Sequence, residues 1–245
     1  MRRFLILSAF LAVAALAPVS SAAKYIEQET TAGGMMGQPP TTTKQRLWIS
    51  GEELCTQEDS GGMVSMMTAE GTFRLINPQE KSFYEGSAED LQRFAKMGMQ
   101  MLQQMGQGKP VTTSVEKTGN TTKIGDWDAY EVVARVDGPM SLTLTFWLSE
   151  EIGVDLAAWT RVARMMQLEG MMGDLFTKLA DYKGYPVKQE SNLSMMGMQI
   201  KTSSLVTLVE ERALDKKVCG VPEGFKRVES PLAIGGGAIP GMPGQ

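Results

Sequence analysis

Residues 140–148 carry the clearest alternation of apolar and polar side chains in the sequence. Leu142, Leu144, Phe146 and Leu148 fall on one side of this segment, and two threonines and a tryptophan fall on the other. A period of two residues indicates a β-strand with one buried face. We expect this strand to lie centrally in a sheet whose apolar face is covered by other elements of the chain.

Short apolar segments separated by Gly, Asn, Asp and Pro predict the rest of that sheet. Residues 24–85 read as a meander of short strands, and residues 111–117 and 121–124 read as two strands around a turn. Residues 187–193 and 199–210 predict a hairpin, and residues 225–228 an edge strand. The sum is a large antiparallel sheet of about nine to eleven strands.

Two segments change to helical spacing. Ser87-Ala88-Glu89-Asp90 has the form of a capping box, and apolar residues recur at three-and-four spacing over residues 91–105. A second helix is expected over residues 156–181, with Asp155 as its N-cap. Segregated helices and antiparallel strands define an α+β domain, here a curved half-barrel sheet covered by two amphipathic helices.

The N-terminus has the pattern of an export signal. Arg2 and Arg3 precede an apolar run over residues 4–17, and small residues follow it near residues 20–23. We expect residues 1–23 to be a signal peptide, residues 24–230 one domain, and the Gly/Pro-rich residues 231–245 a disordered tail. The expected location is the periplasm, with no membrane span after signal cleavage.

The net charge of the chain argues against one class of binding partner. The chain has a net charge of −4, and it contains no dense cluster of Lys and Arg. A mildly acidic chain of this kind is a poor candidate for binding nucleic acid. We therefore expect no nucleic-acid partner.

The two cysteines, Cys55 and Cys219, agree with export. A disulfide between them is the favoured interpretation in an oxidising compartment, and two buried free thiols are the alternative. The sequence has no C-x-x-C motif, which argues against a thiol-redox role.

The sequence gives little support for a catalytic function. The sequence contains no histidine, so no Ser/His/Asp or Cys/His arrangement can form. The acidic pairs Glu52-Glu53 and Glu150-Glu151 stand at expected strand ends, where charged turns are common. We expect a protein that is not an enzyme, with no catalytic residue and no cofactor.

Methionine is abundant, with 19 residues. Thioether sulfurs can hold Cu(I) without histidine, and residues 97–101 and 195–198 are the sets to consider for Cu(I) or Ag(I). Methionine also packs irregular apolar spaces and adaptable binding surfaces. We assign no metal site and keep Met-based metal binding as an alternative.

An apolar space between sheet and helices is the third possibility, and a completely filled core is its alternative. The strand residues expected to line such a cavity are Leu47, Ile49, Tyr130, Val132, Leu142, Leu144, Phe146 and Leu205. The helical residues expected to cover it are Phe94, Met97, Met101, Met105, Trp159, Met165, Met166 and Phe176.

The order of several short motifs carries a family resemblance. These motifs are residues 41–49 followed by Gly51, Asn77-Pro78 with residues 81–84, residues 117–119 with 124–130, residues 146–149 with 152–153, and residues 221–225. The chain resembles an uncharacterised family of exported bacterial proteins placed near the LolA/LolB-like lipoprotein-localisation factors. The resemblance implies a half-barrel with a helical lid over an apolar cavity, which in characterised relatives carries lipid or lipoprotein acyl chains. It assigns no individual functional residue, because the methionine content, the tail and the lid motifs differ.

Together these observations favour a non-enzymatic periplasmic protein that binds a hydrophobic small molecule or lipid between sheet and lid. A Met-based Cu(I)/Ag(I)-binding protein is one alternative. The other is a structural or assembly protein with a filled core, whose partner is an envelope protein.

Overall fold

The computed structural model describes residues 23–33, 39–51, 53–58, 61–87, 89–90, 93, 111–138, 141–154, 173–195 and 198–234. The strands among them are β1 (Ala23–Ala32), β2 (Thr41–Ser50), β3 (Glu53–Glu58), β4 (Val64–Met67), β5 (Thr72–Asn77), β6 (Ser82–Ser87), β7 (Thr112–Ile124), β8 (Trp127–Asp137), β9 (Ser141–Ser149), β10 (Tyr185–Met195), β11 (Met198–Arg212) and β12 (Lys226–Val228). They form one open sheet in the order β12-β6-β5-β4-β3-β2-β1-β11-β10-β9-β8-β7.

Two meanders make up this sheet. Strands β2 to β6 follow one another as antiparallel neighbours, and so do β7 to β11. Strand β1 lies between β2 and β11 and joins the two halves. The short β12 adds parallel to β6 at one edge, as expected for an edge strand near residues 225–228. The mostly antiparallel sheet predicted from the sequence is therefore confirmed.

The sheet has twelve strands, more than the expected nine to eleven. Two further details differ from expectation. Residues 112–124 form one strand instead of two, because a bulge between Lys117 and Thr121 absorbs the expected turn, with Gly119 at a φ of +86°. Strand β9, expected to be central, is third from the β7 edge, because β11 pairs with β1 and the first six strands all extend the sheet on that side.

The described helices are short, so this part of the chain is mostly β. Besides the helical residues Glu89, Asp90 and Arg93, they are α1 (Gly173–Leu179), α2 (Lys216–Cys219) and the 3₁₀ turns η1 (Glu150–Ile152) and η2 (Pro231–Ala233). The helix predicted over residues 156–181 is confirmed for α1 and ends at Leu179, where Tyr182 N–H donates to the Leu179 carbonyl at 3.1 Å. Residues 155–172 lie outside the described residues.

The first turn of the other predicted helix is present. Ser87 N–H and Oγ both donate to Asp90 Oδ2 at 2.9 Å, and Asp90 N–H donates back to Ser87 Oγ at 3.3 Å. This reciprocal bonding is the predicted capping box, and Glu89, Asp90 and Arg93 are helical. Of residues 91–105, all except Arg93 lie outside the described part of the chain, as do residues 1–22 and 235–245.

The C-terminal segment covers one face of the first strands. Tyr25, Trp48 and Cys55 are paired in register across β1, β2 and β3, so they share a face. They pack against Cys219 of α2 and the partly buried Phe225. A disulfide joins Cys55 to Cys219, which confirms the pairing favoured from the sequence.

Candidate ligand-binding face

The apolar side chains of β8 and β9 lie beneath α1. Val132 is paired with Phe146, so the two side chains share one face of the sheet. Leu175 and Leu179 of α1 are buried against this cluster. We call the face that carries Phe146 the helix-side face and the opposite face the outer face. The apolar side of the alternating strand is thus covered by a helix, as its pattern predicted.

Partly buried hydrophobic residues surround the cluster under α1. They are Val115, Tyr130, Leu142 and Tyr182. Each packs against the buried side chains but keeps part of its own surface accessible. The border of the cluster therefore offers apolar area that a further apolar group can cover.

Polar contacts fix α1 beside the β7 edge. Lys178 Nζ donates to the Thr113 carbonyl oxygen at 2.9 Å and contacts Thr113 Oγ1 at 3.2 Å. Tyr130 Oη donates to the Lys183 carbonyl oxygen at 2.6 Å, just beyond the helix. The Lys117 ammonium stands 3.9 Å from the centroid of the Tyr130 ring, a cation–π geometry. The two lysines on this side thus already have local partners.

The pairing of neighbouring strands identifies the residues that lie on the helix-side face across the sheet. Phe146 of β9 pairs with Gln189, Gln189 with Ser204, and Ser204 with Thr30. Directly paired side chains share a face, so all four lie on the helix-side face. Alternation along β1 then places Ile26 on the same face.

Part of a second apolar cluster lies on this face. Ile26 pairs with Leu47, and Ile49 lies two residues further along β2. These three side chains are buried together with Val206 of β11 and with Ile152 of η1. The helix-side face therefore carries apolar side chains at β8–β9 and at β1–β2. The second cluster also includes Ala129 and the partly buried Trp147, which lie on the outer face of β8 and β9.

Leu205, expected among the lining residues, lies on the outer face. It pairs with Lys188 and Glu29, and 41% of its surface is exposed. Its neighbour Val206 occupies the helix-side face instead. Thr207 is an extra residue of β11, between Val206, which pairs with Gln28, and Leu208, which pairs with Glu27. It interrupts the regular alternation of β11, and the sequence pattern does not show which side each residue takes.

The other expected lining residues divide between described and undescribed parts of the chain. Those on described strands are Leu47, Ile49, Tyr130, Val132, Leu142, Leu144 and Phe146, and they fall into the two clusters. Phe176 belongs to α1. The expected cover residues outside the described part of the chain are Phe94, Met97, Met101, Met105, Trp159, Met165 and Met166.

Between the two apolar clusters the helix-side face is polar but uncharged. We call this region the hydroxyl–amide patch; its members are Thr30, Gln189, Ser191, Thr202 and Ser204. All are partly buried, and Ser191 Oγ lies 2.6 Å from Thr202 Oγ1. The sequence alone does not reveal this patch, because its members come from three strands that only the register brings side by side.

A depression of about 620 Å³ lies at the β7–β8 end of the sheet. Its lining includes Lys117, Lys123 and Tyr130, together with Glu150 and Glu151 from η1. The acidic pair considered from the sequence is exposed here and faces lysines across an open surface.

The described part of the chain contains no cluster of the side chains that usually bind metal ions. Within the described ranges, no group of three or more His, Cys, Asp or Glu side chains is placed to hold a metal ion. Of the methionines considered for Cu(I), residues 97–101 and Met196 lie outside the described residues. Met195 and Met198 are paired at the ends of β10 and β11.

The comparisons with known proteins match this architecture only at low sequence identity. No protein-family model and no curated protein matches the sequence. Among solved structures, a LolA superfamily protein from Nitrosomonas europaea is 8% identical, with 81% of this chain and 90% of that chain covered and a TM-score of 0.32. A DUF1329 family protein from Desulfovibrio piger is 9% identical, with coverages of 82% and 90% and a TM-score of 0.32.

A structure of PNGF-II is 12% identical, with a TM-score of 0.33; 84% of this chain is covered but only 31% of that chain. The chain is structurally similar to LolA superfamily and DUF1329 proteins, which confirms the resemblance drawn from the sequence. In the described part of the chain, no helix has the length and apolar character needed to cross a membrane.

Proposed function

We propose that this chain is a non-enzymatic periplasmic protein that binds a hydrophobic or lipid-like ligand on its helix-side face. The observation that carries the proposal is the separation of the two faces. On β1, β2, β10 and β11 the helix-side face carries one ion pair, Lys24 with Glu211, and otherwise apolar, hydroxyl and amide side chains. The other charges of these strands lie on the outer face, which also holds the apolar cluster beneath the C-terminal segment. The outer-face charges on β1, β2, β10 and β11 are Glu27, Glu29, Lys44, Arg46, Lys188, Glu190, Lys201, Glu210 and Arg212.

An acyl chain covered on this face gains free energy from each methylene group that it buries. Each buried methylene group contributes about 0.8 kcal/mol, so about ten of them give roughly 8 kcal/mol before the costs of association. That gross figure corresponds to a dissociation constant of about 1 μM. The partly buried Leu142 and Tyr130 at the border of the α1 cluster are the contacts we assign to the ligand.

The chain path supports a segment that passes from one end of the sheet to the other. Strand β6 is next to one edge of the sheet and β7 forms the other edge, so residues 88–111 connect opposite ends of the strand order. The sequence of residues 91–105 predicts an amphipathic helix with Met97, Met101 and Met105 on its apolar side. We propose that this segment and residues 156–172 form a lid over a curved, half-barrel sheet.

Export completes the proposal. The Cys55–Cys219 disulfide fits an oxidising compartment, and residues 1–23 have the pattern of a cleaved signal. The ligand is a hydrophobic small molecule or lipid, and we propose neither a cofactor nor a catalytic residue.

The test is lipid binding by the purified mature protein. Native mass spectrometry and extraction of the purified protein are expected to show a bound amphiphile, and a fluorescent fatty acid is expected to bind and be displaced. Leu142→Gln should weaken binding about 3- to 10-fold, since it removes an apolar contact.

Thr143→Gln is the matched control, because it lies on the outer face of the same strand. Absence of any bound amphiphile together with no fatty-acid binding would reject the proposal in favour of a filled core and an envelope-protein partner. Equal weakening by the two variants would move the site away from the helix-side face.

A further inference from the structure

The helix-side face has an unusual distribution of polar groups on β9, β10, β11, β1 and β2. Among the described residues of these strands, its charged side chains are Lys24 and Glu211, which are paired in register and form an ion pair at 3.1 Å. The other polar side chains on this face are hydroxyls and amides. Away from this ion pair, the polar groups that a ligand meets on these strands are therefore neutral.

The neutral polar side chains lie next to one another, in rows that cross several strands. One row across the sheet runs from Phe146 to Gln189, Ser204 and Thr30. The next row runs in the same way from Leu144 through Ser191 and Thr202. Each row thus begins at an apolar residue beneath α1 and continues into the hydroxyl–amide patch.

A third row joins the patch to the other apolar cluster. Val206 pairs with Gln28, and Gln28 pairs with Gln45. Gln28 Nε2 donates to Gln45 Oε1 at 2.8 Å, so these two amides are held together on the face. The patch is therefore bordered by apolar side chains at β8–β9 and at β1–β2.

We infer that the ligand of the proposed site is an amphiphile whose polar head is uncharged and carries hydroxyl groups. Its acyl chain lies on the apolar cluster of β8 and β9, and its head lies on the hydroxyl–amide patch. Hydroxyl and carboxamide side chains both donate and accept hydrogen bonds, which matches the hydroxyls of a glycerol or sugar head. This inference rests on the proposed function and specifies its ligand class.

A charged head is disfavoured at the same position. A phosphate or carboxylate placed on the patch loses water without gaining a cation, and an unpaired buried charge is costly. The nearest alternative cations on this side are Lys117 and Lys178, on the β7 side of the sheet and already in contact with Tyr130 and Thr113. Strand β7 is three strand spacings, about 14 Å, from β10.

The experiment compares two ligands with the same acyl chain, whose heads differ in one substituent, a hydroxyl in one and a charged phosphate in the other. The delipidated mature protein is titrated with 1-monopalmitoylglycerol and with 1-palmitoyl lysophosphatidic acid, each below its critical micelle concentration. We expect the monoacylglycerol to bind about 10-fold more tightly or better. Equal affinity, or tighter binding of the phosphate-bearing ligand, would overturn the inference and leave the proposed function standing.

The position of the head is tested with near-isosteric variants. The double variant Ser191→Ala with Thr202→Val lacks two hydroxyls of the patch. Its affinity for monopalmitoylglycerol should be about 3- to 10-fold lower. Ser203→Ala with Thr145→Val is the control, because both residues lie on the outer face, each paired with Glu190. Equal effects of the two pairs would overturn the assigned position, and thermal unfolding reports whether each variant folds.

The two levels of the proposal fail in distinguishable ways. If neither palmitoyl ligand nor the fluorescent fatty acid binds the wild-type protein, and no amphiphile co-purifies with it, the proposed function itself is wrong. If both bind without preference for the neutral head, only the ligand class is wrong. The wild-type comparison needs no variant, so it decides the ligand class even if the substituted proteins do not fold.

Discussion

Cys55 of β3 and Cys219 of α2 are joined by a disulfide with their Cα atoms 6.0 Å apart, although 164 residues separate them in sequence. Both cysteines are almost completely buried, within the cluster that attaches the C-terminal segment to the outer face. The bond therefore connects the first half of the sheet to the end of the chain.

Removing this bond is expected to destabilise the protein markedly. The chain-entropy model gives about 5 kcal/mol for so long a loop as an upper figure, and we expect a loss of about 2–4 kcal/mol for Cys55→Ala with Cys219→Ala. Urea unfolding of the double variant and of the wild type measures the difference. As a control, adding reductant to the unfolding series should lower the wild-type stability but leave the variant unchanged.

The packing of Phe146 under α1 makes a second prediction. Its side chain is 6% exposed and lies in the cluster with Leu175 and Leu179. Phe146→Ala should cost about 3–5 kcal/mol of unfolding free energy, because it removes a large buried ring and leaves a cavity. Thr145→Ala, one residue away and on the outer face, should cost less than about 1 kcal/mol. Similar losses for the two variants in urea unfolding would contradict the assigned faces.

The buried hydroxyl of Tyr25 predicts a loss of stability at high pH. Burial raises its pKa from 10.0 to about 12, and the hydrogen bond that it donates to Glu27 acts in the same direction. The folded protein thus holds the phenolic proton more tightly than the unfolded chain does. The resulting stabilisation is complete below pH 10 and is lost as the pH rises from about 10 to about 12.

A shift of this size corresponds to roughly 2–3 kcal/mol. Unfolding free energies of the wild type and of Tyr25→Phe, measured from pH 9 to pH 12, test the assignment. The decline between pH 10 and pH 12 should be smaller in the variant by about this amount. If both proteins decline equally, other groups cause the alkaline loss of stability.

Gly184, the residue before β10, is expected to tolerate no side chain. Its φ is +93°, and a Cβ atom there would lie 2.6 Å from the carbonyl oxygen of Ser149. Gly184→Ala should therefore cost about 3 kcal/mol or more, because backbone strain of about 1–3 kcal/mol adds to a collision with main-chain atoms.

Gly119 provides the matched control for that substitution. Its φ of +86° is similar, but a Cβ atom there meets nothing within 4 Å. Gly119→Ala should cost only the strain, about 1 kcal/mol. Thermal unfolding of both variants separates the two terms, and a larger loss at Gly119 would be inconsistent with the close approach of Gly184 to Ser149.

Local patterns predicted much of the fold. The alternation of residues 140–148 indicated β9 and the side of it that α1 covers, and Ser87 with Asp90 indicated a helix start that the structure contains. The final hairpin and the edge strand near residue 226 were also predicted. These features depend on residues close together in sequence, which is why a single chain reveals them.

The position of β9 and the composition of the candidate site were not accessible in this way. The sequence by itself determined the strands, the absence of histidine chemistry and the cysteine pair available for a disulfide. Only the tertiary structure decided that β1 would lie between β2 and β11, and that Gln189, Ser204 and Thr30 would meet beside Phe146. Register between distant strands depends on the packing of the whole sheet and on bulges such as the one at Glu27/Gln28, and a shift of one residue exchanges the faces of a strand.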